Sequence, residues 1–138
     1  MAAAQSFFPG IEVRSQYTCL LPGLNNHTTN ILYLFFYPHY FSLIAFKEGQ
    51  LQLVQTRMYS TAVDVLYFIL NVLEQYSIEK DTEIFTGGFI DEKSKLYETL
   101  YQYLEGLKLA HVDETLFTPG AFTDYSSHYF LPYTNYVL

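Results

Sequence analysis

Seven consecutive apolar residues, Ile31–Tyr37, constrain the fold of this 138-residue chain more than any other feature. The run is uncharged and rich in residues that favour β structure, which is the pattern of a strand covered on both faces. Half of the chain is hydrophobic and 15% is charged, so a core is available and a disordered chain is excluded. The length fits one domain.

The run opens a predicted three-stranded meander. Pro38-His39 is a tight turn in which proline presets φ, and Tyr40–Phe46 is the second strand. Glu48-Gly49 forms the next turn, where glycine accepts a positive φ. Leu51–Met58 is the third strand, and its initial alternation of apolar and polar residues places it near a sheet edge.

The hydrophobic period changes from strand to helix at Ser60. Ser60 or Thr61 caps the predicted helix, and Thr61-x-x-Asp64 resembles a capping box with Asp in place of Glu. Apolar residues then recur at helical spacing, at Ala62, Leu66, Ile69, Leu70 and Leu73.

A short strand over Asp81–Phe85 is predicted to end in Thr86-Gly87-Gly88. Asp91 is predicted to cap a second helix, which carries Leu96, Leu100 and Leu104 on one face and stops near Gly106. Leu107–Val112 is the predicted fifth strand.

The resulting order, β-β-β-α-β-α-β, predicts a mixed α/β sheet with helices packed on it. Residues 30–112 form this unit. Residues 1–29 are predicted to be irregular because of repeated turn dipeptides, with one possible strand over Ile11–Leu21. Residues 113–138 form an aromatic C-terminal tail, packed on the unit or on a partner.

This order resembles the ribonuclease H-like unit that occurs twice in actin-like ATPases. The segment from Gln50 to Tyr76, the Thr86-Gly87-Gly88 turn and the Leu96–Leu104 helix also resemble a bacterial family of unknown function with an actin-like ATPase fold. The resemblance covers roughly residues 30–112. It implies that the chain is one lobe of a two-lobed protein, the C-terminal one, whose partner is a second lobe or a second copy of the chain.

The resemblance also implies a nucleotide site that the residues only partly support. Gly87-Gly88 matches a strand, Gly-Gly turn and helix that lie against the nucleotide in actin-like ATPases, and it also fits a simple turn. The first hairpin, Tyr37-Pro38-His39-Tyr40, lacks the acidic residue and the glycines that handle Mg²⁺ and phosphate, and Ile31–Tyr37 lacks the carboxylate that ribonuclease H chemistry needs. We therefore predict a non-catalytic interaction or structural module without a cofactor. The alternative is a lobe that binds ATP with magnesium at Gly87 and Gly88. A third interpretation is a small-molecule pocket between the sheet and the tail.

Other candidate side chains have simple structural interpretations. His39 is expected to be an exposed turn histidine, and Asp124-x3-His128 has ligand-pair spacing inside a turn-rich tail. His111 with Asp113 and Glu114 fits an ordinary charged loop. Cys19, the single cysteine, is expected to be a small buried hydrophobe.

The net charge and the N-terminal sequence limit the kinds of partner that the chain can have. The formal net charge is −7, and residues 60–138 hold twelve of the fourteen acidic residues, which disfavours nucleic acid binding. The N-terminus lacks a signal-peptide pattern, and Ile31–Tyr37 is far shorter than the ~20 residues of a membrane span. We expect a cytoplasmic protein that engages neither nucleic acid nor membrane.

The aromatic content is the feature that most favours a binding role. The chain has 14 tyrosines and 12 phenylalanines but no tryptophan. Tyrosine needs a partner for its hydroxyl, so a small core cannot hold so many, and contiguous exposed rings mark interfaces. Seven rings are concentrated in the tail, at Phe117, Phe122, Tyr125, Tyr129, Phe130, Tyr133 and Tyr136. Of these, the six from Phe122 onwards are the predicted interface.

Overall fold

A computed structural model describes residues 29–110, 120 and 124–129. Its elements are β1 (Ile31–Phe36), β2 (Tyr40–Lys47), β3 (Gln50–Met58), α1 (Ala62–Gln75), β4 (Glu83–Gly88), α2 (Lys95–Tyr103) and β5 (Leu107–Leu109). The prediction of a mixed α/β unit is confirmed. The possible strand over Ile11–Leu21 lies outside the described residues.

The five strands form one sheet in the order β3-β2-β1-β4-β5. β1 pairs antiparallel with β2 and parallel with β4, so it has a neighbour on each side. Every residue of β1 is buried, as its unbroken apolar run predicts. β3 pairs with β2 and forms one edge of the described sheet, again as predicted.

The two faces of the sheet carry two separate clusters of buried side chains. On the first face, Leu32, Leu34 and Phe36 of β1 pack with Ile69 of α1 and Leu100 of α2. On the second face, a ring cluster surrounds Tyr33, whose centroid lies 5.9 Å from Phe85 and 6.3 Å from Phe46. Burial raises the pKa of the Tyr33 phenol, with a smaller contribution from the charge of Glu83.

Local signals set the turns and the start of α1. Glu48 and Gly49 both have positive φ, at 52° and 79°, as a tight hairpin turn between antiparallel strands requires. The predicted capping box is present, because Thr61 Oγ1 accepts from the Asp64 N–H and the Asp64 carboxylate accepts from the Thr61 N–H. These hydrogen bonds hold the pKa of the Asp64 carboxyl below its ordinary value.

Two sequence predictions at the ends of α2 are wrong. Ser94, not Asp91, is the N-cap, since Ser94 Oγ accepts from the Tyr97 N–H. The helix ends at Tyr103, and Gly106 is not a helix stop with positive φ. Instead, a Cβ at Gly106 would lie 2.1 Å from the carbonyl oxygen of Thr82, so the residue is small because two backbone segments meet there.

The boundaries of the last two strands also differ from the prediction. β4 begins at Glu83 rather than Asp81 and continues through Gly88, because the ladder with β1 extends to the Phe36–Gly88 pair. β5 covers Leu107–Leu109, and the last two residues of the predicted strand lie outside the described residues.

Candidate functional site

The carboxyl ends of β1 and β4 lie side by side, because the two strands are parallel and Phe36 pairs with Gly88. Ligands of open α/β sheets bind at this edge, in the crevice between strand ends. The β4–α2 loop, Phe89–Ser94, leaves the sheet here, and the turn that follows β1 contributes Pro38 to the same region.

The predicted Gly87-Gly88 turn is instead the end of a strand. Gly87 and Gly88 are buried and pair with Phe35 and Phe36 of β1. The chain turns only at Gly88, which has a φ of 86° and therefore needs glycine's freedom.

Four of the backbone N–H groups that follow Gly88 are already engaged within the chain. Phe89 N donates to Phe36 O at 2.7 Å, and Ile90 N donates to Gly88 O at 2.9 Å. Further along, Lys93 N donates to the Asp91 carboxylate at 2.7 Å and Ser94 N donates to Asp91 O at 2.9 Å. A phosphate at this loop would have to displace these bonds, because free N–H groups are what such sites offer.

Asp91 links the β4–α2 loop to a distant part of the chain. One of its carboxylate oxygens accepts from Lys93 N, and the other accepts from the Tyr129 hydroxyl at 3.2 Å. The bond from Lys93 N and then that from Tyr129 hold the pKa of the Asp91 carboxyl below its ordinary value. Burial, followed by the bond to Asp91, raises the pKa of the Tyr129 phenol.

His128 strengthens the same connection. Its ring is buried, stacks on Tyr129 at 4.4 Å between centroids, and places Nε2 2.5 Å from the Ile90 carbonyl oxygen. Since a carbonyl oxygen only accepts, Nε2 carries the proton. His128 therefore fastens residues 126–129 to the β4–α2 loop.

A cavity of about 400 Å³, called here the loop cavity, opens at this connection. Its walls are mostly apolar and aromatic, with one carboxylate. It is lined by Pro38, Tyr59, Phe89, Ile90, Asp91, Ser94, Leu96 and Tyr129. A second cavity of about 310 Å³ shares Asp91 and Tyr129 with it and is lined otherwise by more polar residues.

A separate groove of about 520 Å³ runs between the edge strand β3 and α1. Arg57 of β3 lies over the Phe68 ring there, 4.4 Å from its centroid, in a cation–π contact. Gln55 and Glu74 also line this groove.

The predicted interface rings fall partly within the described residues. Tyr125 is 63% exposed, whereas Tyr129 is half-buried and packs on its own chain, with the two rings 6.4 Å apart edge to face. Phe117, Phe122, Phe130, Tyr133 and Tyr136 lie outside the described residues.

The predicted polar candidates do not converge on one site. His39 is exposed in its turn, as predicted, and Asp124 is exposed while His128 is occupied at Nε2 by Ile90. Across residues 29–110, 120 and 124–129, no three His, Cys, Asp or Glu side chains come close enough to hold a metal ion. His111, Asp113, Glu114 and Cys19 lie outside the described residues.

Sequence reasoning missed the Asp91–Tyr129 contact. Asp91-Glu92-Lys93-Ser94 carries two cap-competent residues, and the interpretation assigned the helix start to the first of them. An Asx turn followed by a serine cap is the alternative that such a segment permits. The 38-residue separation from Tyr129 leaves no periodic signal.

The charge of Asp91 should make stability depend on pH. Because the folded pKa is depressed, its stabilisation is complete above the unfolded value of about 3.9 and disappears as pH falls through the folded pKa. We expect Asp91→Asn to lower the free energy of unfolding at about pH 6, and the gap to the parent chain to narrow progressively as pH falls below about 3.9. Urea unfolding across this range measures it, with the exposed Asp81→Asn as the matched control. A gap that stays constant with pH would contradict the role of the charge.

No helix in the described part of the chain is long and apolar enough to cross a membrane.

Comparison with protein families gives one match. The model of the DUF3822 family, described as a protein of unknown function, matches residues 1–107. No curated protein matches the chain.

Comparison with solved structures identifies the fold. The chain is similar to a Bacteroides thetaiotaomicron protein of unknown function with an actin-like ATPase fold. The TM-score is 0.68 at 18% identity, and the match covers 79% of this chain. It covers 44% of the other protein, so the matched region is less than half of that relative's length.

Proposed function

The chain belongs to the DUF3822 family of proteins of unknown function, and on that premise we propose that it is a non-catalytic interaction or structural module. It would be a ribonuclease H-like lobe, the C-terminal one, of an actin-like fold. Its fold likeness covers 79% of this chain but 44% of the similar protein, which supports the view of one lobe among two. The partner would be a second lobe or a second copy of the chain.

The observation that carries the proposal is that the β4–α2 loop uses its backbone hydrogen bonds within the chain. The N–H groups of Phe89, Ile90, Lys93 and Ser94 are engaged within the chain, and none of the described residues that line the loop cavity is a lysine or arginine that could hold a phosphate. Pro38 in the neighbouring turn also has no N–H to offer. These features favour a site that does not bind ATP with magnesium.

The alternative is a nucleotide-binding lobe, and the loop cavity is the observation that favours it. The cavity lies beside the strand ends where actin-like folds are expected to hold a nucleotide, and its lining includes Phe89, the residue after Gly88, and Ser94, which caps α2. Gly87 and Gly88 would then let the backbone approach the ligand.

Titration of magnesium-ATP into the full chain separates the two functions. We expect no saturable heat at millimolar nucleotide, because binding would require the loop to exchange its own hydrogen bonds for phosphate. Gly88→Asp is the control, since aspartate tolerates positive φ better than most residues and adds a charge at the strand end. Saturable binding that this variant loses would overturn the proposal in favour of the nucleotide-binding lobe.

The interaction role predicts that an exposed tail ring contributes to association. Sedimentation velocity over a wide concentration range is expected to show self-association of the full chain, weakened several-fold by Tyr125→Ala. Tyr125 is 63% exposed, and Tyr67 on α1, at 68%, gives a matched control that should change nothing. A chain that stays monomeric would exclude a second copy as partner. Equal effects of the two variants would contradict a specific tail interface.

A further inference from the structure

The loop cavity combines aromatic walls with a single negative charge. Tyr59, Phe89 and Tyr129 contribute rings to its lining, and Asp91 contributes the carboxylate. Of its lining residues, all in the described part of the chain, none is basic. Phe89 is 63% exposed, so an aromatic face is open to a ligand from outside.

Asp91 forms no ion pair among the described residues, although the charges of Lys93 and His128 act on it from nearby. The two ion pairs found there join Lys95 to Glu98 and Lys108 to Glu83. Asp91 instead accepts from two neutral donors, the Lys93 N–H and the Tyr129 hydroxyl, one on each oxygen. A carboxylate has about four acceptor positions, so both oxygens keep capacity for a further donor.

A planar cation can stack on the rings and donate hydrogen bonds to the carboxylate at the same time. A guanidinium group stacks on aromatic faces and presents parallel N–H groups that match a carboxylate, whereas an ammonium is a compact, strongly hydrated point charge. The same chain already uses this chemistry in the contact of Arg57 with Phe68. The net charge of −7 also favours a basic partner over an acidic one.

We propose that the loop cavity binds the side chain of an arginine presented by a partner protein, with the guanidinium against Asp91 and the rings. The proposal deepens the interaction role proposed above and rests on it. It gives the β4–α2 loop a ligand of opposite charge to the phosphate that the alternative function requires.

The test titrates the isotope-labelled full chain with small probes and follows backbone amide chemical shifts. The probes are arginine, lysine and citrulline, each blocked at both ends to imitate a residue within a polypeptide. Blocked arginine is expected to shift the amides of Phe89, Ile90 and Lys93 saturably. Blocked lysine should bind about fivefold more weakly, and blocked citrulline, which keeps the shape without the charge, should not saturate.

Three variants assign the effect to the cavity. Asp91→Asn keeps an acceptor oxygen but removes the charge, and we expect it to weaken arginine binding about tenfold. Asp81→Asn makes the same change at an exposed position away from the cavity and should have no effect. Phe89→Ala removes an exposed ring without touching the backbone bond to Phe36, so it should fold normally and bind about threefold more weakly.

Several results would overturn the assignment. These are the absence of saturable shifts, equal binding of citrulline or lysine, or an equal loss in Asp81→Asn and Asp91→Asn. Free arginine or agmatine binding where blocked arginine does not would indicate a small-molecule site and reject a protein partner. If neither blocked arginine nor magnesium-ATP binds, only the arginine site is rejected. If magnesium-ATP binds, the proposed function itself is contradicted.

Discussion

Gly106→Ala is expected to lower the free energy of unfolding by about 3 kcal/mol or more, because the new methyl group would collide with backbone. An alanine Cβ would lie 2.1 Å from the Thr82 carbonyl oxygen and 2.9 Å from that of Asp81. Neither segment is free to move away. Thr82 N donates to Glu79 O at 3.1 Å, and Ile84 N donates to Gly106 O at 2.9 Å.

Urea or thermal unfolding of the two proteins measures the loss. Gly49→Ala is the informative control, because Gly49 has a φ of 79° in the β2–β3 turn, where alanine costs about 1 kcal/mol through conformation. A loss at Gly106 no greater than that at Gly49 would contradict the steric explanation.

Phe41→Ala is expected to cost about 4 kcal/mol, which would be a large part of the stability of a domain this size. Phe41 of β2 is 1% exposed, and its ring meets those of Phe36, Tyr59 and Phe68 at centroid distances of 5.9, 5.8 and 5.6 Å. Truncation would open a cavity between the sheet and α1 that these rings cannot fill by small movements.

The same unfolding measurement should rank three variants. Phe41→Leu keeps most of the buried volume and should lose about 1.5 kcal/mol. Tyr67→Ala, at an exposed position of α1, should stay within about 0.5 kcal/mol of the parent chain. If Phe41→Ala and Phe41→Leu were equally stable, tight packing of this ring cluster would be refuted.

Local signals made most of the fold predictable from the sequence. The unbroken run at β1 indicated burial on both faces, the alternation in β3 indicated an edge, and Thr61 with Asp64 indicated the start of α1. Each of these depends on residues close together in the chain. Residue propensities and hydrophobic periodicity report on such short sequence separations.

The features that sequence reasoning missed depend on long-range contacts. Gly106 is small because it meets Thr82, and nothing near Gly106 in the sequence shows this. The sequence suggested a turn at Gly87 and Gly88 because neighbouring residues do not show how far the pairing with β1 extends. The candidate site was missed for the same reason, since Asp91 and Tyr129 are joined by a side-chain contact across 38 residues.

The hydrogen bonds of the site differ from those that the resemblance implies. Where a phosphate-binding lobe would leave N–H groups free, this chain has Asp91 and Ser94 accepting from them. Residues 126–129 then close over the loop through His128 and Tyr129. The fold is similar to an actin-like ATPase fold, and aromatic and carboxylate contacts occupy its strand ends.

The strand order also has a kinetic consequence. β1 reaches β2 and β3 through short turns, but its parallel pairing with β4 joins residues about fifty positions apart, such as Ile31 and Glu83. Loop-closure entropy makes the second kind of contact slower to form. We therefore expect the meander to form early, with the pairing of β4 to β1 completing the sheet. The arginine-binding surface proposed here would thus come into existence only in the last stage of folding.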